Sequence, residues 1–146
     1  MKTNLVFFDG LHQSKHGTLR GLIAFILLVS LSALWFFITY DWVYKSSIKK
    51  LKFSLFSART IVSFILIYLL VCSALAVQFP SSWDNALVYG LLVGLVVFGV
   101  TNLAFIAIIE DYSILTAIVD TVFAMIMCGT ISVCVYHISN TAGWYS

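Results

Sequence analysis

Four long apolar stretches, at about 21–40, 58–79, 86–109 and 113–136, take up most of the chain, and its charged residues collect outside them. Each stretch reaches the roughly 20 residues that a helix rising 1.5 Å per residue needs to cross about 30 Å of hydrocarbon. The runs are continuous rather than alternating, which excludes a β-barrel, whose spans are strands of about 10 residues with alternating polarity. The pattern predicts an all-α membrane protein, a four-transmembrane-helix up-and-down bundle over 21–136. A polar, amphipathic N-terminal tail over 1–20 and a C-terminal tail over 137–146 flank it.

The breaks between runs are chemically distinct. The first run ends at Asp41-Trp42, and the second stops at Pro80. There "SSWD" follows, with Ser81 as a helix cap and Asp84 three residues on, the spacing of a capping box. The third and fourth runs meet at Glu110-Asp111, a turn short enough to make them an antiparallel hairpin.

Composition agrees with this pattern. The 146 residues are 62% hydrophobic and 10% charged, with a mean hydropathy of +1.05, whereas soluble domains carry about 25% charged residues. The loop between the first two runs holds Lys45, Lys49, Lys50, Lys52 and Arg59, and no Lys or Arg follows Arg59. Basic loops stay on the inner side, so both termini are expected on the side opposite the 41–59 loop. The N-terminal "MKTNLVFFDGLHQSKHGTLRG" has too short an apolar patch and no cleavage site for a secretory signal, so it reads as retained. A net charge of +2, confined to loops, gives no case for nucleic acid.

Asn102 and Asp120 stand inside the third and fourth runs at nearly equal distances from the Glu110-Asp111 turn, which places both roughly 12–14 Å deep. An isolated mid-span Asp costs about 2.5–3.5 kcal/mol on insertion scales, so it needs an answering group. The expectation is an Asn102–Asp120 pair, a neutral carboxyl donating to the amide oxygen and accepting from its nitrogen, with Thr101, Thr116 and Thr121 as further hydroxyls. Such a pair is either a helix–helix clamp or a solute, ion or proton site.

Gly90 and Gly94 have GxxxG spacing and Gly99 follows, a small-residue stripe along which a second helix backbone can approach. Trp42, Trp83 and Trp144 fall at run ends and read as interface anchors. Asp41 precedes Lys45 by one turn, the spacing of an interfacial ion pair. Cys72, Cys128 and Cys134 lack paired spacing and read as small core residues. His12 and His16 have no third ligand, so no metal is expected. No nucleophile elbow, phosphate loop, paired carboxylate or zinc-protease motif occurs, and no catalytic residue or cofactor is assigned.

With these residues in hand, the chain resembles a family of small four-span membrane proteins of unknown function found in bacteria and some eukaryotes. "ALWFFITYDWVY" is similar to the family's Asp-x-x-Trp stretch with a later Tyr, here Trp35 and Tyr44. Gly90 and Gly94 match its GxxxG, Phe98 replaces a Tyr, Asn102-Leu103 stands at its Asp-Leu and Tyr112 replaces a Trp. Val119-Asp120 matches its Val-Asp, and Phe123-Ala124 replaces Trp-Gly. The likeness covers about 25–136 and leaves out the N-terminal tail. It implies acids in spans one, three and four, where this chain has Ser32, Asn102 and Asp120, so only the last stays acidic.

These observations lead to a non-enzymatic accessory or scaffold subunit, in contact with membrane lipids and other membrane subunits. The family's range extends this to an energy-converting, mitochondrial-type inner membrane. The alternative is a small solute or proton-coupled transporter centred on Asp120 and Asn102.

Overall fold

The computed structural model describes residues 16–41, 45, 58–77, 80–108 and 112–144. Their regular structure is helical throughout: α1 (Gly17–Thr39), α2 (Ala58–Val77), α3 (Trp83–Ile108) and α4 (Ile114–Thr141). By length and composition α1, α3 and α4 are long and apolar enough to cross a membrane, whereas the apolar part of α2, Ile61–Val77, is shorter. Trp42, Lys49, Lys50, Lys52, Glu110 and Asp111 lie outside the described residues.

The starts of α1 and α3 lie beside the ends of α2 and α4. His16 stacks on Trp144 with ring centroids 5.1 Å apart, Tyr89 Oη donates to the Ala74 carbonyl at 2.9 Å, and Ser132 Oγ donates to the Ala86 carbonyl. Neighbouring helices therefore run antiparallel, and α4 is their hub. In its most apolar window 39% is buried, against 11% in α1 and in α3. One side of α4 supplies Met127, Cys128, Ile131 and Val135 to a core shared with Ala24 and Leu28 of α1 and Val71, Cys72 and Leu75 of α2. Its other side meets α3.

That second contact depends on absent side chains. A Cβ placed on Gly94 would lie 2.6 Å from Ala124 O and Met125 Cα, and one on Gly90 would lie 2.7 Å from Gly129 Cα. Both glycines are buried, so α3 rests directly on the backbone of α4. Gly99 differs: a Cβ there meets Thr121 Cγ2 at 3.6 Å, an ordinary contact.

Two helix boundaries depart from the hydropathy pattern. The N-terminal expectation set a cap at Ser81, yet α3 begins at Trp83, and Asn85 Nδ2 donates to Ser81 Oγ at 2.8 Å. The fourth helix runs on to Thr141, past the end of the apolar run. Its stop is set by backbone chemistry: Gly143 takes φ 70°, its N–H reaches Asn140 O at 3.1 Å, and Trp144 N–H reaches Ser139 O at 2.8 Å. This is a Schellman termination, which needs a residue tolerant of the left-handed region. At the start of α4, Ser113 Oγ caps by accepting from Thr116 N–H at 3.3 Å.

Gly94→Val is expected to destabilise the bundle by about 1–3 kcal/mol through overpacking, while Gly99→Ala should leave it nearly unchanged. Unfolding of both variants by denaturant titration in mixed micelles checks the contrast, and equal effects would refute the close approach at Gly94.

Candidate functional site

Asn102 lies six residues before the end of α3 and Thr121 seven after the start of α4, so both sit about 9–11 Å from the turn end of the hairpin. The α3–α4 contact brings them together: Asn102 Nδ2 donates to Thr121 Oγ1 at 3.0 Å. The amide oxygen accepts from Tyr112 Oη at 3.1 Å. Asn102 is 4% exposed, so both bonds are made away from solvent. Tyr112 is positioned by Phe105, whose ring it meets edge-on at 5.7 Å.

The expected partner of both ends of this amide was Asp120. Successive helical residues point about 100° apart, and it is Thr121 that faces α3. The oxygen is taken by a tyrosine that precedes α4 and reaches inward with a long side chain. Asp120 is half-buried and stands near the hydroxyls of Tyr112 and, from α2, Tyr68. Tyr68 in turn pairs with Ser32 of α1, whose Oγ donates to Met127 Sδ at 3.5 Å. Polar groups from all four helices, Ser32, Tyr68, Asn102 and Asp120 among them, thus gather in the loop-facing half of the bundle. Tyr68 and Tyr112 were not assigned to this region from sequence, where aromatic residues in apolar runs read as core or anchor.

Other hydroxyls are satisfied within their own helices. Thr101, Ser73 and Thr130 each donate to the carbonyl four residues back, at 2.7, 2.7 and 2.9 Å, the usual way for a helical hydroxyl to avoid an unmet donor. Thr116 is buried in the first turn of α4.

The remaining expected positions are dispersed. Gly90 and Gly94 face the backbone of α4. Trp83 is 56% exposed at the start of α3, and Trp144 lies against His16. Arg59 is in the first turn of α2. Lys45 bonds Asp41 at 2.8 Å; that hydrogen bond, then the carboxylate's charge, holds its ammonium above the usual lysine range. Trp35 stacks on Phe123 at 4.0 Å, nearly parallel at 6°. Arg20, which sequence placed in the polar tail, is instead fully buried on α1. Its position one turn below Ala24 and two below Leu28 is the signal that was available.

A family model described as a predicted membrane protein (DUF2177) matches residues 19–137. No curated protein and no solved structure matches the chain.

A double-mutant cycle on Asn102→Ala and Thr121→Val is expected to give a coupling energy of about 0.6 kcal/mol, with a ceiling near 1.7, the range of interhelical hydrogen bonds in membranes. Reversible unfolding in mixed micelles measures it, and additive effects would show that the two side chains do not cooperate.

Proposed function

The chain belongs to that family of predicted membrane proteins, and from this premise we propose that it is a non-enzymatic, multi-pass accessory subunit of a larger membrane assembly. The observation that carries this reading is the internal use of Asn102. Its donor and its acceptor are both engaged by the chain's own hairpin. A solute site needs polar groups aimed at a ligand, whereas these hold α3 to α4. What the bundle turns outward is apolar: Leu22, Ile26 and Phe37 on α1, Ile65, Leu66 and Leu69 on α2, Val96, Val100 and Leu103 on α3. Faces of this kind suit lipid tails and the helices of other subunits.

In this reading all four helices cross the membrane up and down. The shorter apolar part of α2 is compatible with a span, since local thinning of the bilayer and snorkelling of flanking residues accommodate mismatch at modest cost. The basic loop 41–59 faces the inner compartment and both termini face the outer one. An energy-converting membrane of mitochondrial type is the setting suggested by the resemblance described above.

Asp120 favours a second reading, a small solute or proton-coupled carrier. Its carboxyl lies within electrostatic reach of Tyr68 and Tyr112, and an intramembrane acid is a site by default.

Gentle solubilisation followed by native separation is expected to show the chain migrating in an assembly several times its own 16.3 kDa, with other membrane proteins alongside. A clean monomer would sink the accessory reading. Solute or proton flux in reconstituted vesicles, unaltered by Asp120→Asn, would sink the carrier.

A further inference from the structure

Three contacts fix the register of α1 against α4: His16 with Trp144, Ser32 with Met127, and Trp35 with Phe123. In each pair the residue numbers add to within one of 159, as they must along two antiparallel helices. The same register sets Leu28 level with Ile131, Ala24 with Val135, and Arg20 with Ser139. All six of these side chains are 0% exposed. The first two levels are apolar against apolar, but the third sets a fully buried arginine level with a fully buried serine.

Ser139 is unlike the other helical hydroxyls of the bundle. Thr39, Ser73, Thr101 and Thr130 each donate to the carbonyl four residues back. Ser139 Oγ is buried and has no hydrogen-bond partner among the described residues. A helical serine has that backbone acceptor at hand, so a hydroxyl that is buried without using it is placed for another partner.

The location narrows that partner's chemistry. Arg20 is three residues from the start of α1 and Ser139 two from the end of α4, so this level lies about 3–5 Å inside the helix ends. The stacked rings of His16 and Trp144 lie just beyond it, and an amphipathic tryptophan ring belongs at headgroup depth. Guanidinium binds phosphate oxygens through paired N–H donors, and a serine hydroxyl supplies one more. The start of α1 adds the partial positive charge of a helix N-terminus. The opposing negative end of α4 is blunted, because the carbonyls of Ile138, Ser139 and Asn140 already accept from Ala142, Gly143 and Trp144 N–H groups.

We infer that Arg20 and Ser139 form a binding site for a phosphate group at the outer end of the bundle, presented by a lipid headgroup or as free phosphate. It goes beyond the accessory reading and is independent of it: the site stands or falls whether or not the chain joins an assembly. The ligand enters past the His16–Trp144 rings, with the guanidinium as the charged anchor and the Ser139 hydroxyl as the orienting donor.

The full chain, purified in a phosphate-free detergent, is heated with inorganic phosphate, with phosphatidylglycerol, or with monogalactosyldiacylglycerol, which has no phosphate. A rise in melting midpoint with phosphatidylglycerol alone identifies a headgroup site, and a rise with inorganic phosphate identifies a soluble-anion site. Ser139→Ala should raise the half-saturating concentration about tenfold, as loss of a hydrogen bond to a charged group does, and Arg20→Gln should abolish the response. If Arg20→Gln does not fold, Ser139→Ala decides alone. No rise with either phosphate source would overturn the site, as would an equal rise with the galactolipid. So would a Ser139→Ala protein that is more stable in every condition yet responds to phospholipid as before, since that is how removal of a merely orphaned hydroxyl behaves.

Discussion

The absence of two side chains, at Gly90 and Gly94, lets α3 lie against the backbone of α4, and most of what distinguishes this bundle follows from that contact. Between helices in lipid there is little hydrophobic driving force, because the surrounding tails are as apolar as the side chains, so association rests on close packing and on interhelical hydrogen bonds. The glycines provide the first directly. They provide the second by setting the relative height of the two helices, which brings Asn102 to Thr121 and Ser132 to the Ala86 carbonyl.

The polar inventory of the bundle sorts by how each group is answered. Some hydroxyls turn back on their own helix, as at Ser73 and Thr130. Others cross to a neighbour, as at Asn102, Ser132 and Tyr89. Asp120 and the Arg20–Ser139 level keep ionisable groups in or near the apolar region, where charge is expensive and a role beyond packing is the ordinary reason for retaining it. The two lie toward opposite ends of α4, one serving the loop side and the other the side of the chain termini.

Much of this was legible before any coordinates. Apolar run lengths gave four helices, and similar distances from Glu110-Asp111 gave a hairpin in which Asn102 faces the first third of α4. What the pattern could not give is azimuth. Asp120 and Thr121 differ by one residue, and only the packing of Gly90 and Gly94 decides that Thr121 meets the amide. Hydropathy also misjudged both outer helix ends for one reason. It stops counting at His137 and starts after Arg20, whereas the backbone continues until Gly143 turns left-handed, and the arginine is enclosed by the same packing that buries Ala24 and Leu28. Tyr68 and Tyr112 were unreadable because a tyrosine in an apolar run announces its ring, not the destination of its hydroxyl.

The central place of α4 has a mechanical corollary. A helix packed on a single side relieves a bulky substitution by sliding or rolling a fraction of an ångström. This one is gripped between the α1–α2 core and the glycine face of α3, so any such slip must drag one seam out of alignment to ease the other. Tolerance to change should therefore be asymmetric, generous along the rims of α1 and α2 and scarce on either flank of the middle strut.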